Sequence, residues 1–244
     1  MNGLTAADFA DTGQWRLIVK LYHGGISAHL ENTIHKDLEP QLLFSEEWEQ
    51  DPDTLLRHIE NAVYDHPRVL DDFSARIIVF DPKTIFFPTH LMEEHDGAEE
   101  TFYTAVYEAD PADVMTDTFG SVTAAYSPAP GLKGFLSRTF PGAKVESHLM
   151  EYIRKFSSQD EGVRMYVTVR KGEADFVLLN NDELLTASTH PVKATEDVVY
   201  HLANIVEVYG FSIPETAISI LPYEGAEELE SKLSSIGGEC KIIS

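Results

Sequence analysis

The sequence predicts an α/β protein built from two copies of one β-β-β-α-β unit. Three observations carry that prediction: two stretches repeat the same order of elements at similar spacing, each copy closes on a short continuously apolar run, and a helix motif recurs between them. Length and composition agree. The 244 residues are long for one domain and comfortable for two, and a content of 43% hydrophobic and 24% charged residues is that of a globular chain.

In the first copy, Arg16–Leu21 (RLIVKL) is a strand, Gly24 and Gly25 supply the turn, and Ile26–Glu31 alternates apolar and polar residues, which makes a β-hairpin. Leu38–Phe44 is the third extended run. Pro52 and Asp53 then open a helix with Leu56, Ile59 and Val63 at i, i+3 and i+7, which ends before Pro67. Arg76–Phe80 (RIIVF) has the unbroken apolarity of a strand covered on both faces. The second copy begins with Arg164–Val169 (RMYVTV), turns at Arg170–Glu173, returns through Ala174–Leu179, and turns again into Glu183–Thr189. A helix over Thr195–Tyr209 presents Val199, Leu202 and Val206 and stops at Gly210, and Ala217–Leu221 is the buried strand. The helices match by residue: His58, Asn61 and Val63 in RHIENAV recur as His201, Asn204 and Val206 in YHLANIV. With five elements in the same order around it, so short a match is better explained by duplication than by chance.

Further α/β elements separate the copies. Thr84–Phe87 is extended up to Pro88, Glu99–Glu108 helical, and Ser121–Tyr126 a strand stopped by SPAPG. Leu132–Phe140 and Leu149–Ser157 are helical, with Lys144–His148 extended between them. The polar segment Ser157–Gly162 is the linker, so the lobes are expected at 13–157 and 163–244. A final helix spans Ala226–Ile236, and Cys240–Ile243 is a last strand. Three antiparallel strands, a helix and a parallel strand open a ribonuclease H-like domain. Two such units in tandem form an actin-like ATPase fold, a likeness that transfers no function by itself.

Two segments carry a family resemblance. TIFFPTHL (Thr84–Leu91) and DVVYHLANIVEVYGFSIPETAISIL (Asp197–Leu221) resemble the bacterial family called Domain of Unknown Function 3822, over nearly the whole chain. The resemblance implies the actin-like ATPase fold and brings no assigned activity.

The fold analogy calls for an Asp in the first hairpin of each lobe, to organise Mg²⁺ and water near phosphates that the glycine turns contact. Here the first hairpin, RLIVKLYHGGIS, has Lys20 and His23 in that region and no acid. The second, RMYVTVRKGEAD, reaches Asp175 only on its return strand. Hydrolysis by the usual metal-assisted route is therefore not expected. If ATP binds, the expected contacts are Lys20, Gly24, Gly25, Arg170, Lys171 and Gly172, with the cations meeting phosphate directly. Asp81, after the first buried strand, stands where α/β sites sit and is a weaker candidate with nearby histidines. His58 and His201 read as structural polar residues beside apolar helix faces. No metal site is expected, since HExxH is absent and one cysteine, Cys240, forms neither an internal disulfide nor a multi-thiolate site.

Charge narrows the partners. The net charge is −23, from 41 acids and 18 bases, and residues 1–120 hold 24 acids against 7 bases. Such a surface repels nucleic-acid phosphate and anionic membrane. Residues 131–171 invert the balance, with eight bases and four acids. The opening MNGLTAADFADTG lacks the features of a secretory signal, so a cytoplasmic location is expected. The expectation is a non-catalytic interaction scaffold with an unidentified protein partner and no cofactor. A nucleotide-binding switch or weak ATPase with an atypical phosphate site is the alternative.

Overall fold

A computed structural model describes residues 12–22, 24–49, 51, 53–79, 83–92, 97–157, 161–170, 172–181 and 183–243. The strands of the first repeat are β1 (Trp15–Tyr22), β2 (Gly25–Asn32), β3 (Gln41–Glu47) and, after helix α1 (Leu55–Asp65), β4 (Ser74–Val79). There follow β5 (Thr84–Pro88), α2 (Thr89–Met92), α3 (Ala98–Tyr107), β6 (Met115–Phe119), β7 (Val122–Tyr126), α4 (Leu132–Thr139), β8 (Lys144–Ser147) and α5 (His148–Phe156). The second repeat comprises β9 (Val163–Arg170), β10 (Glu173–Asn180), β11 (Glu183–Pro191), α6 (Thr195–Val208), β12 (Ala217–Ile220), α7 (Ala226–Ser235) and β13 (Glu239–Ile242).

The two five-stranded sheets have the same topology, β3-β2-β1-β4-β8 and β11-β10-β9-β12-β13. In each the first three strands are antiparallel, while β4 joins β1, and β12 joins β9, in parallel. Both first hairpins turn through two residues, closing on Tyr22 opposite Gly25 and Arg170 opposite Glu173. The duplication runs further than the five elements legible in the sequence. Helix α4 and parallel strand β8 match α7 and β13, so the repeat is β-β-β-α-β-α-β. Each of these helices starts after a glycine in the left-handed region, Gly131 at φ 79° and Gly225 at φ 106°, which a side chain would strain. The copies differ by an insertion: Leu221–Gly225 connects β12 to α7, whereas residues 80–131 connect β4 to α4. Part of the insertion forms a three-stranded sheet ordered β5-β7-β6.

The chain divides into two compact units. One holds residues up to Lys83 with Glu99–Asp117 and Ala125–His148, the other Thr84–Ala98, Thr118–Ala124 and Leu149–Ser244. In the first, alternate residues of β1 (Trp15, Leu17, Val19, Leu21) bury against Ile59 and Val63 of α1 and Phe135 and Leu136 of α4. In the second, Met165 and Val167 of β9 meet Leu202 and Val206 of α6 and Leu229 and Leu233 of α7. Its other sheet face, with Tyr166, Val177 and Leu179, is covered by Leu149, Met150, Ile153 and Phe156 of α5.

That packing places α5 differently from the sequence boundary at 157, which kept it in the first lobe: its apolar stripe matches the second sheet. Two elements escape the sequence reading. Strand β6 (MTDTF) is mostly polar and has no apolar signature, and α2 is a single turn. Strand β3 is displaced from Leu38–Phe44 to Gln41–Glu47. It begins only after Pro40 and carries its acids Glu46 and Glu47 into the ladder, which an edge strand tolerates.

Candidate functional site

The first hairpin positions Lys20, Gly24 and Gly25. Lys20 lies half-buried in β1, opposite Ser27 of β2 and Ile78 of β4. With burial as the larger cause, its charge helps push the His29 imidazole below the usual range. The Gly24 carbonyl accepts the Trp48 N–H at 3.0 Å. Gly25 is fixed by sterics: a Cβ there would lie 2.5 Å from the Glu46 carbonyl oxygen and 2.6 Å from the Tyr22 hydroxyl. Its missing side chain is thus required by the passage of β3 and by the Tyr22 ring. His23 and Asp81 lie outside the described residues, as does Lys171.

The second hairpin positions Arg170 and Gly172. Gly172 takes φ 78°, and its carbonyl accepts the Val192 N–H at 2.9 Å, repeating the bond at Gly24. The Arg170 fork is engaged by carboxylates. Nε and Nη2 donate to the two oxygens of Asp175 at 2.9 and 2.8 Å, and Nη1 donates to Glu173 at 3.1 Å. Asp175, 1% exposed, also accepts the Thr189 hydroxyl at 2.7 Å. Tyr152 of α5 is held neutral by this surrounding: burial raises its pKa, and the Asp175 charge raises it further. Sequence reading missed the pairing because Arg170 faces Glu173 directly and reaches Asp175 only diagonally, an arrangement that needs the hairpin register.

A cleft of about 520 Å³ opens within the first unit, at the carboxyl ends of β1 and β4. Ligands of open α/β sheets bind outside the carboxyl ends of the strands. The strand ends contribute Leu21, Tyr22 and Val79, the start of α1 contributes Leu55 and Ile59, and the insertion contributes Tyr103, Tyr107 and Pro128–Pro130. The cleft is therefore built by the segment that the second repeat lacks. Its walls are fastened. Tyr103 Oη donates to the Lys83 carbonyl at 2.7 Å and accepts the Ser127 N–H at 3.1 Å. Lys133 Nζ donates to the carbonyls of Ala112 and Val114 at 2.7 and 3.1 Å, holding the rim loop. Glu108 ends α3 in the left-handed region at φ 54°. With Asp110 and Asp113 it lines the mouth, while Lys83 Nζ sits 5.8 Å from the Tyr107 ring centroid. Burial, then the Glu47 charge working against a bond to Ser45, sets the Tyr22 phenol above its ordinary pKa, so it presents a neutral hydroxyl. Apolar walls, phenol rings and peripheral carboxylates suit binding better than proton transfer.

The other candidates have structural surroundings. His58 stacks on Trp48 with centroids 5.2 Å apart, and His201 on His190 at 4.4 Å. Cys240 Sγ lies 3.7 Å from the Glu230 carbonyl, and burial raises its thiol pKa. Among the described residues no three of His, Cys, Asp or Glu are grouped to hold a metal, and no helix is long and apolar enough to cross a membrane. Five bases of the stretch 131–171 have partners within the chain. Besides Lys133 and Arg170, Lys144 pairs with buried Glu146 at 2.8 Å, Arg164 donates to the carbonyls of Phe156 and Asn181, and Arg154 lies over the Phe119 ring.

Duplicated sheets with this strand order define the actin-like ATPase fold. A Bacteroides thetaiotaomicron VPI-5482 protein with that fold and unknown function superposes at a TM-score of 0.81, with 21% identity over 99% of this chain and 94% of its own. The chain belongs to the family described as protein of unknown function (DUF3822), which it matches over residues 6–223. The PilM–PilN type IV pilus biogenesis complex shows the fold again, at a TM-score of 0.56 with 12% identity over 94% of this chain and 88% of the other. No functionally curated protein matches the sequence.

Proposed function

We propose that this protein is a non-catalytic actin-fold module that docks a segment of another protein in the first-unit cleft. The observation that carries the reading is the cleft itself: an apolar-walled site at the carboxyl ends of β1 and β4, built by an insertion confined to one repeat. Two facts support the absence of catalysis. Neither β1 nor β9 carries an Asp or Glu to organise a metal. Where cations would meet phosphate, the Arg170 donors already face Asp175 and Glu173. The fold also occurs in an assembly, PilM–PilN, which is consistent with an interaction role. In this reading the module works in the cytoplasm, as its acidic composition and single cysteine suggest.

The test pairs two measurements. Thermal unfolding with millimolar Mg²⁺-ATP, ADP or GTP is expected to show no shift. A ligand at 100 times its Kd stabilises by about 2.7 kcal/mol, equivalent to roughly 5–11 °C for a chain of this size. A rise of that order refutes the scaffold and favours the nucleotide switch. Affinity capture from the native cell is expected to yield a partner that is lost when Ala109, in the cleft wall, becomes Trp.

A further inference from the structure

The side chains around the cleft define the chemistry of its occupant, on the premise that the cleft docks protein. Helix α3 turns Tyr103 and Tyr107 toward the cleft and carries Phe102 and Val106 on the neighbouring stripe, at i and i+4. Phe102 is 60% exposed and Val106 56% exposed. A surface helix ordinarily places polar residues on its solvated face, and this pair extends the apolar wall beyond the mouth of the cleft. The charge beside it is predominantly acidic. Glu108, Asp110 and Asp113 line the cleft, and Glu99 and Glu100 occupy the first turn of α3. Lys83, the cation among the described lining residues, is held over Tyr107. Residues 1–120 carry 24 acids against 7 bases, so the wider field has the same sign. The charge on Lys133, Arg154, Arg164 and Arg170 is taken up by carbonyls, carboxylates and rings of the chain itself, which favours another protein over a second copy as the occupant.

We infer that the cleft and the Phe102–Val106 stripe form one docking surface for a short peptide segment combining aliphatic or aromatic side chains with lysine or arginine. The apolar side chains enter the cleft and cover the stripe, and the cations meet the Glu108, Asp110 and Asp113 carboxylates. Charge complementarity of this kind sets partner choice and association rate.

The probe is a random 12-residue peptide library displayed on phage, selected against the full chain and counter-selected against Ala109→Trp. Peptides that need the open cleft are expected to carry more Lys and Arg than Asp and Glu, with at least two large apolar residues. Their synthetic forms should bind about tenfold more weakly to Glu108→Lys/Asp110→Lys and be weakened by Phe102→Ser. Thermal unfolding of each variant near the parent temperature shows that loss of binding is not loss of fold. Cleft-dependent peptides that are acidic, or indifferent to the charge reversal, overturn the charge assignment while leaving the docking function standing. Peptides recovered equally well on Ala109→Trp overturn both.

Discussion

The pair of Arg170 and Asp175 makes the sharpest stability prediction. Asp175 is fully buried, and three hydrogen bonds converge on it, two from the guanidinium and one from Thr189. Removing one partner of a buried pair costs about 3–5 kcal/mol, because the other charge loses its compensation. Arg170 retains 21% side-chain exposure and a contact to Glu173, which lowers the expectation for Asp175→Ala to about 2–4 kcal/mol. Arg170→Met leaves the buried carboxylate without its cation and should cost at least as much. The double variant removes both charges and should cost less than the sum by about 1–3 kcal/mol, the coupling typical of groups in direct contact. Urea unfolding, followed by a probe in the second unit, measures all four states, since a chain with two units need not unfold in one step. A coupling below about 0.5 kcal/mol, the level of distant independent sites, would refute the argument that this pair holds the hairpin.

Three other outcomes follow from the same structure. Gly25→Ala should destabilise by about 1–3 kcal/mol, since the new methyl must displace the Glu46 backbone or the Tyr22 ring; denaturant midpoints check this, and a neutral result would free Gly25 for a ligand role. Glu146→Ala should cost the first unit about 1–3 kcal/mol by removing the buried carboxylate that Arg76 and Lys144 pair with, the two cations being partly open to water, read as a lowered midpoint of that unit. The His190 pKa is lowered from 6.5 by burial and then by the His201 charge. The unfolded chain therefore binds this proton first, so the His190 contribution to stability is constant above about pH 6.5 and is lost as pH drops below it. His190→Gln should reduce the acid slope, to which His29 adds in the same direction, and an unchanged slope in pH-dependent melting would exclude His190 as a source.

Much of the fold is legible because burial imposes periodicity. RLIVKL and RIIVF are apolar enough to be strands, and the helix faces ending at Val63 and Val206 repeat every turn. The extra α4–β8 and α7–β13 pairs escape as a repeat since they share only apolar spacing and a glycine start. The glycines of both turns were visible, but the reason for Gly25 was not, because the atoms that exclude its side chain come from Glu46 on another strand. The Arg170–Asp175 pair likewise needs a register that local sequence does not encode, and a basic stretch cannot reveal which carbonyls and carboxylates take up its charges.

The sequence by itself determined the duplicated α/β architecture, the acidity of the first half and the lack of acids in both leading strands. Those properties depend on local periodicity and composition. Tertiary structure alone decided that α5 covers the second sheet, that Arg170 faces carboxylates, and that residues far apart in the chain, from Leu21 to Leu132, enclose one cleft. Each is set by which distant surfaces meet, and the free energy of burial acts on that meeting rather than on sequence order.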